Sequence, residues 1–300
     1  MSDAFFQGFE LRELEAGGVR FRFRQGGEGP PLLLLHGHPR THATWWRVAP
    51  RLAERFRVVC PDLPGFGQSR FPDGADLAEV STKRAKAAAL VQMMDALGHD
   101  RFFLAGHDRG SYTAFRLAMD RPDRVERLAL LDCVPILEAL ERCDARFAAA
   151  WWHWFFFAAP GKAEHAINAD PERWYAPDAG RMGAESHADL MEAIHDPRVV
   201  ETMVWDYRVS LDRDRADDEG DRRAGRSLAC PTLCLWSSRD DLEALYGDVL
   251  AVWRPWARDL AGGPIESGHH MAEDAPEALA ARLADFFAGG ISPGSDLPSR

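Results

Sequence analysis

A block of basic residues is missing from this 300-residue chain. Lys and Arg total 36 against 47 Asp and Glu, which leaves a formal net charge of −11 at pH 7. Proteins that bind nucleic acid need clustered positive charge to neutralise the phosphates, so the charge balance argues against nucleic acid as a partner. An anionic small-molecule substrate would have to be captured by local arginines against this overall field.

Cysteine is also sparse, and long apolar runs are absent. The five cysteines are an odd number at irregular spacing, as expected in a reducing compartment, and Cys230 and Cys234 lie in an apolar strand pattern that predicts buried thiols. The longest aromatic run, residues 147–159, is too short to span a bilayer and contains His153. The start, Met1 to Phe6, lacks the basic and apolar regions of a signal peptide. We therefore expect a cytoplasmic protein with no membrane partner.

Short apolar segments that alternate with helix-like stretches are plentiful. Residues 19–23 alternate with period two, as a half-exposed strand does, and residues 81–97 are typical of a helix. Continuous apolar runs, typical of strands buried on both faces, occupy Leu32 to Leu35, Val58 to Cys60, Phe102 to Ala105, Leu128 to Leu131 and Thr232 to Trp236. This order predicts an α/β fold whose mostly parallel sheet is flanked by helices, with ligands bound beyond the carboxyl ends of the strands.

The pattern changes in the middle of the chain, over residues 135–225. Strand-like runs vanish there, Trp and Phe concentrate, and charge rises towards the end of the segment. We interpret this segment as an inserted helical cap, and residues 1–134 together with 226–300 as one core domain. Residues 291–300 are rich in Pro, Ser and Gly and are predicted to be disordered.

The pentapeptide Gly106-His107-Asp108-Arg109-Gly110 carries the strongest chemical signal. It lies between an apolar strand-like run and a helix-like segment, 112–119, and its glycines permit a sharp turn between them. Such a turn, the nucleophile elbow, lifts its central side chain to the positive end of the following helix. Serine at the centre would indicate acyl transfer. The carboxylate of Asp108 instead indicates displacement at a saturated carbon, because the resulting ester, unlike an ether, can be hydrolysed by an activated water.

An aspartate nucleophile needs a base that activates water for the second step. His269 lies near the end of the chain, and we predict it as the base, with the neighbouring His270 as the alternative. A histidine base needs an acid that fixes its tautomer and stabilises the imidazolium. Asp132 directly follows an apolar run and is predicted to fill that role, with Asp240 and Asp241, after the next run, as alternatives. If these partners were absent, the pentapeptide would be interpreted as a polar turn.

Together these motifs resemble the α/β-hydrolase superfamily over residues 15–290. The likeness rests on His36-Gly37, on Asp62-Leu63-Pro64-Gly65-Phe66-Gly67-Gln68-Ser69 and on the elbow. The chain is more specifically similar to the fluoroacetate (haloacetate) dehalogenases. The segments that carry this second likeness are Gly106-His107-Asp108-Arg109-Gly110, Leu131-Asp132, His153-Trp154, Asp206-Tyr207-Arg208 and Pro264-Ile265-Glu266-Ser267-Gly268-His269.

The resemblance implies a dehalogenase of short 2-haloacids that needs neither cofactor nor metal, and an aromatic cap that contributes to a homodimer. Arg109, where haloalkane dehalogenases and many epoxide hydrolases carry Trp, would hold the substrate carboxylate; a salt bridge within the elbow is the alternative for this residue. His153, Trp154 and Tyr207 would receive the halide through ring N–H and O–H donors. Without the resemblance, Trp154 would be interpreted as part of an apolar cap helix over residues 151–157.

One position departs from the family. A second arginine is usual three residues after the first on the elbow helix, and Tyr112 stands there instead. Residues three apart share a helix face, so both arginines could reach one carboxylate, whereas Tyr112 offers a neutral hydrogen bond. Losing a hydrogen bond to a charged partner, about 1.5–3 kcal/mol, weakens capture roughly ten- to a hundredfold. The site therefore favours a longer or neutral substrate, or recruits another arginine from the cap. The backbone N–H of His38 is expected to face the ester carbonyl oxygen.

An epoxide hydrolase is the nearest alternative, since it uses the same nucleophile, acid and base. It needs cap tyrosines that protonate the oxygen of the opening epoxide. Tyr207 is one candidate and Tyr175 is a weaker one, while Tyr112 lies on the wrong element for the usual pair. The cation of Arg109 disfavours this alternative.

Two further classes of protein are less consistent with the sequence. The spacing His36-x-His38-x-x-x-His42 resembles a set of metal ligands, but His36 belongs to the His-Gly marker and no carboxylate follows in the usual metal motif. A non-catalytic receptor on this fold would have no need of a nucleophile, an acid and a base together. Both classes are therefore less consistent with the sequence than a hydrolase is.

Overall fold

An eight-stranded sheet forms the centre of the structure, a computed structural model that describes residues 4–291. Apart from Ile291, the segment predicted to be disordered lies outside the described residues. The strands are β1 (Phe9–Ala16), β2 (Val19–Gly26), β3 (Pro31–Leu35), β4 (Arg57–Pro61), β5 (Phe102–His107), β6 (Val125–Leu131), β7 (Thr232–Ser237) and β8 (Leu260–Ile265).

The strand order is β1-β2-β4-β3-β5-β6-β7-β8. The pairs β1–β2 and β2–β4 are antiparallel, and every pair from β4 to β8 is parallel. Leu32 and Leu34 pack on one face of the sheet, while Leu33 and Leu35 pack on the other, and all four are fully buried. Burial on both faces explains the continuous apolar runs, and it confirms the predicted α/β fold with a mostly parallel sheet.

Helices cover both faces of the sheet. Those of the core are α1 (Ala49–Leu52), α2 (Leu77–Val80), α3 (Lys83–Ala96), α4 (Arg109–Asp120), α14 (Leu242–Tyr246), α15 (Val249–Trp253), α16 (Met271–Asp274) and α17 (Pro276–Phe287), with a 3-10 helix at His42–Trp45. The helix predicted over residues 81–97 is α3, which Thr82 caps by accepting a hydrogen bond from the Ala85 N–H.

Every regular element described between residues 135 and 225, the segment that we call the cap, is helical. The helices are α5 (Ile136–Glu141), α6 (Ala145–Ala150), α7 (Trp152–Ala158), α8 (Lys162–Ala169), α9 (Pro171–Tyr175), α10 (Ala179–Met182), α11 (Ala184–Ile194), α12 (Pro197–Val209) and α13 (Arg215–Arg223), with a π-helical turn at Ser210–Asp214. The aromatic run over residues 151–157 falls on α7, as its composition predicts.

Two strands were not evident from the sequence. Strand β1 is an edge strand with mostly exposed residues, so it lacks an apolar run. Strand β8 contains two glycines and a proline, which usually indicate a turn. Gly262 is required there by close packing, because a Cβ at that position would lie 2.2 Å from the Cys234 carbonyl oxygen.

The cysteines agree with their prediction in the described residues. All five are free, and Cys230 and Cys234 are buried, the second of them within β7. Among the helices of residues 4–291, none combines the length and the apolar character that crossing a bilayer requires.

Candidate active site

Asp108 occupies a sharp turn between β5 and α4. Its backbone has φ 49° and ψ −117°, and residues other than glycine rarely adopt a positive φ. The turn needs glycine on both sides. A Cβ on Gly106 would lie 2.4 Å from the Gly110 carbonyl oxygen, and a Cβ on Gly110 would lie 2.4 Å from that of His36. The strand, turn and helix predicted for the elbow are therefore present, and the carboxylate lies at the positive end of a 12-residue helix.

The Asp108 carboxylate is held in its charged form. The backbone N–H of His38 donates to Asp108 Oδ1 over 2.7 Å, so it faces an oxygen of the nucleophile, as expected for this group. Burial by itself would raise the pKa of Asp108, but attraction to His269 and Arg109 together with the His38 hydrogen bond lowers that pKa below its ordinary value. An ionised carboxylate with one oxygen anchored and the other free is suited to act as a nucleophile.

His269 stands beside this nucleophile, with Asp132 behind it. Nδ1 of His269 lies 2.7 Å from Asp132 Oδ2, and the other oxygen of Asp132 accepts the Ser237 N–H over 3.0 Å. A proton on Nδ1 leaves Nε2 as an acceptor, and Nε2 lies 4.0 Å from Asp108 Oδ2. The structure thus brings the three predicted catalytic residues together in the order nucleophile, base, acid.

The residues considered as alternative base and alternative acids make different contacts in the structure. Nδ1 of the alternative base His270 is buried without a hydrogen-bond partner in the described part of the chain. Asp241 turns to the cap, where its Oδ2 accepts the Trp151 Nε1–H over 2.7 Å. Asp240 does approach the base, with Oδ2 at 3.1 Å from His269 Nδ1. His269 therefore has two carboxylate partners rather than one.

Arg109 is fully buried and does not belong to the described residues that line the active-site cavity. Its Nε donates to Asp206 Oδ2 over 2.5 Å, and its Nη2 donates to the Asp206 carbonyl oxygen and to Ser210 Oγ. Only Nη1 has no hydrogen-bond partner among the described residues. The salt bridge that the sequence left open as an alternative is thus formed, although its partner is on the cap helix α12 rather than in the elbow.

Asp206 gathers three cations at the junction of core and cap. Besides Arg109, it receives Lys86 Nζ at 2.5 Å and Lys83 Nζ at 3.0 Å. Burial would raise the pKa of Asp206, but these three positive charges hold it far below its usual range. The pairing of both lysines with a buried carboxylate was not predicted from the sequence, because lysine is normally exposed. Their spacing of three residues on α3, which puts them on one helix face, was the available signal.

The cavity above Asp108 has a volume of about 620 Å³ and lies between core and cap. All three residues predicted to receive the halide line it, and the Tyr207 ring lies 5.4 Å from the His153 ring and 5.9 Å from that of Trp154. Burial lowers the pKa of His153 to about 4 and raises the pKa of Tyr207 well above its ordinary value. At neutral pH the imidazole is therefore uncharged, and the phenol keeps its proton and can donate it.

Tyr112 and His38 also line this cavity. The Tyr112 ring packs 6.0 Å from the Trp154 ring and 5.0 Å from the Arg109 guanidinium, so this tyrosine forms part of the cavity wall beside Arg109. The His38 ring packs against Tyr175 and Tyr207, and burial lowers its pKa to about 3. Its side chain is thus an uncharged part of the cavity wall.

The three histidines with ligand-like spacing bond to different partners. His36 donates from Nδ1 to the Gly37 carbonyl oxygen and accepts the Leu63 N–H at Nε2, so both of its ring nitrogens are used. His42 Nδ1 pairs with Asp62 at 2.8 Å. The three rings do not form a common group of ligand atoms among the described residues, so the spacing reflects local structure rather than a shared ligand set.

A larger surface groove of about 1100 Å³ runs between the β1–β2 turn and α12. None of the candidate catalytic residues is among the described residues that line it. We therefore assign the chemistry to the smaller cavity, which contains the nucleophile and its base.

Comparison with known proteins finds similar chains and similar structures. The family model for the alpha/beta hydrolase fold matches residues 30–166. The chain is 36% identical to the fluoroacetate dehalogenase of a Burkholderia species, over 96% of each chain. It is 31% identical to the soluble epoxide hydrolase of Corynebacterium sp. strain C12, over 90% of this chain and 94% of that protein. The crystal structure of ALR0039 from Nostoc sp PCC 7120 superposes with a TM-score of 0.90 at 36% identity, covering 95% of this chain and 99% of that one.

Proposed function

Because the chain belongs to the α/β-hydrolase superfamily and has an aspartate at the elbow, we propose that it is a hydrolytic dehalogenase of short 2-haloacids. The observation that carries the proposal is the geometry around Asp108. One carboxylate oxygen is anchored by the His38 N–H, and the other faces a histidine base that is itself held by carboxylates. A carboxylate nucleophile of this kind forms an ester that the same site can hydrolyse.

In the first step Asp108 displaces the halide. Oδ2 attacks the α-carbon of the haloacid, a carbon–oxygen bond forms, and the carbon–halogen bond breaks with its electron pair leaving on the halide. His153, Trp154 and Tyr207 form the cavity wall that would receive this anion, and ring N–H and O–H donors stabilise a charge that develops in the transition state. No proton is consumed in this step.

In the second step water cleaves the ester. His269 Nε2 takes a proton from water, and the resulting hydroxide adds to the Asp108 carboxyl carbon, while the His38 N–H stabilises the oxyanion. The acyl–oxygen bond then breaks, the departing alkoxide takes the proton from His269, and a 2-hydroxyacid leaves. Asp108 is released as the carboxylic acid and loses its proton to solvent, which restores the carboxylate nucleophile. Asp132 stabilises the transient imidazolium through its contact with Nδ1.

Arg109 would hold the haloacid carboxylate only if the neighbouring rings of the cavity wall move, because the guanidinium is fully buried and does not line the cavity. Its Nη1, which has no hydrogen-bond partner in residues 4–291, would be the donor, and the guanidinium lies 4.0 Å from the Tyr207 ring and 5.0 Å from the Tyr112 ring, both in the cavity wall. A hydrogen bond from a charged donor contributes about 1.5–3 kcal/mol. One such bond, without a second arginine, supports weaker capture of fluoroacetate than two would give.

An epoxide hydrolase is the second candidate, and the charge of the cavity favours it. Arg109 is buried against Asp206 outside the cavity lining, and the described lining contains five aspartates but a single arginine, Arg173. Such a wall repels an anionic acid and accepts a neutral epoxide. Tyr207, whose phenol stays protonated, would protonate the opened oxygen, with His153 beside it. The cavity volume also lies within the roughly 300–1,000 Å³ typical of sites for drug-sized ligands, which exceeds what a two-carbon acid needs.

The deciding experiment measures fluoride and chloride release from fluoroacetate and chloroacetate, with styrene oxide hydrolysis alongside and Asp108→Ala as the control. Halide release that depends on Asp108 supports the dehalogenase. Epoxide opening that depends on Asp108, with no halide release, would replace it by the second candidate. Turnover that survives in Asp108→Ala would contradict both.

A further inference from the structure

The base has two carboxylates at one nitrogen. His269 Nδ1 lies 2.7 Å from Asp132 Oδ2 and 3.1 Å from Asp240 Oδ2, and the nearest ligand atoms of the three residues lie within 4.8 Å of one another. A single proton on Nδ1 needs a single acceptor, and one carboxylate is enough to fix the tautomer. The second acid is therefore not explained by the mechanism proposed above.

The two acids reach the base from different strands and in different environments. Asp132 directly follows β6, has φ 54°, and its side chain is 1% exposed. Asp240 lies in the loop after β7, and its side chain is 31% exposed. Asp132 is thus fixed within the core, while Asp240 approaches the same nitrogen from the cavity side.

Asp240 is held in place by its neighbours on both sides of the loop. Ser238 N–H donates to the Ile265 carbonyl oxygen over 2.9 Å, and Arg239 N–H donates to that of Ser267 over 3.2 Å. These bonds tie the loop to the segment that leads into His269. On the other side, Asp241 accepts a hydrogen bond from the indole N–H of Trp151 in the cap. The approach of Asp240 to the base is therefore built into the packing of core and cap.

The electrostatic environment gives the Asp132 and Asp240 carboxyls different protonation tendencies. Like charges at this separation disfavour simultaneous ionisation. Burial raises the pKa of Asp132, and the negative charge of Asp240 adds to that rise. The pKa of Asp240 is lowered in spite of burial, because of its hydrogen bond and charge interaction with His269. When Asp132 holds a proton, Asp240 supplies the negative charge beside the imidazole.

We propose that Asp240 is a second positioning residue for His269, which takes over from Asp132 as the acceptor of the Nδ1 proton. The base then keeps an anionic partner when either carboxyl is neutral. In the ester-hydrolysis step the imidazolium is formed by proton transfer from water to Nε2, and the Nδ1 proton stays between the ring and the acid pair. The kinetic consequence rests on the proposed function, in which His269 activates water.

The kinetic test compares Asp132→Asn, Asp240→Asn and the double variant, with the exposed Asp123→Asn as a matched control. Removing the sole acid behind a catalytic histidine lowers turnover on the order of 10⁴-fold. We expect each single variant to lose no more than about 10-fold in kcat with little change in KM, and the double variant to approach the full loss, which exceeds the product of the two single losses. Asp240→Glu should recover part of the loss seen in Asp240→Asn. The proposal is overturned if Asp132→Asn alone shows the full loss and Asp240→Asn adds nothing to it.

A substrate-free measurement separates this inference from the proposed function. The pKa of His269 is followed by NMR in each variant, with the signal assigned from its absence in His269→Gln. We expect an elevated pKa to persist in Asp132→Asn and to fall by about one unit or more when Asp240 is also replaced. A full fall in Asp132→Asn overturns the role of Asp240. If the pKa of His269 changes as expected but no haloacid or epoxide is turned over, the proposed function is rejected, while Asp240 is retained as a partner of His269.

Discussion

Arg109 and Asp206 form an ion pair that is closed to solvent, with Nε 2.5 Å from Oδ2 and side-chain exposures of 0% and 1%. Arg109 begins the helix that follows the nucleophile, and Asp206 lies on the cap helix α12. The pair therefore fixes the cap to the elbow, and it also holds the Arg109 guanidinium outside the lining of the cavity in which a substrate anion would lie beside Asp108.

Neutralising Asp206 should destabilise the protein strongly. Asp206→Asn leaves Arg109 and Lys86 buried without their carboxylate, and breaking a buried pair costs about 3–5 kcal/mol. The free energy of unfolding, measured by urea denaturation, should fall by that amount. In the control Asp123→Asn, whose side chain is 62% exposed, it should change by less than about 0.5 kcal/mol. Equal stability of the two variants would show that the pair does not hold the cap.

Removing the Arg109 guanidinium should change selectivity between charged and neutral substrates. In Arg109→Gln we expect kcat/KM for chloroacetate to fall about 10- to 100-fold relative to kcat/KM for styrene oxide, because only the acid uses the Nη1 charge. Tyr112→Phe, which removes a neutral hydroxyl from the same wall, should change this ratio less. The two kcat/KM values are measured on one preparation, so a loss of folded protein cancels. An unchanged ratio would remove Arg109 from substrate binding.

Replacing the base should trap the ester. In His269→Gln the displacement step survives, because Asp108 remains ionised and anchored by His38, but water is no longer activated. Incubation with a haloacid should release one equivalent of halide and add the mass of the alkyl group to the protein, as detected by intact mass spectrometry. Peptide mapping should place the group on Asp108. The same adduct in Asp108→Ala/His269→Gln would mean that another residue is the nucleophile.

The two steps should respond differently to pH. Burial lowers the pKa of His269, but hydrogen bonds to Asp132 and Asp240 and the charge of Asp108 raise it well above its ordinary value. Esterification removes the Asp108 charge, so the pKa of the base falls within the intermediate and the neutral form becomes available. Below that pKa the base is protonated, ester hydrolysis slows and ester accumulates.

Rapid-quench measurement of the halide burst and of the steady state separates these steps. The burst, which needs only ionised Asp108, should persist at acidic pH, while the steady-state rate should rise with pH through the His269 transition. A steady-state rate that falls as pH rises through this range would contradict general-base catalysis by His269.

The fold and the catalytic set were largely predictable from sequence because both depend on local patterns. Five continuous apolar runs and one alternating segment located six of the eight strands, and the elbow with its two glycines placed Asp108 between strand and helix. The strands that were not predicted, β1 and β8, lack such a run for physical reasons: β1 is mostly exposed, and β8 contains Gly262, which close packing requires. Carboxyl ends of parallel strands meet at one edge, so Asp132 and His269 could be expected near Asp108.

The sequence by itself determined the α/β sheet, the aspartate at its elbow and the candidate residues of the cavity wall. Only the tertiary structure decided what the charged residues contact. It paired Arg109 with Asp206 across 97 positions and brought Asp240 to the nitrogen that Asp132 already holds. Charge pairing between distant segments depends on how the cap packs on the core, and no local pattern of the sequence predicts which charged residues will meet.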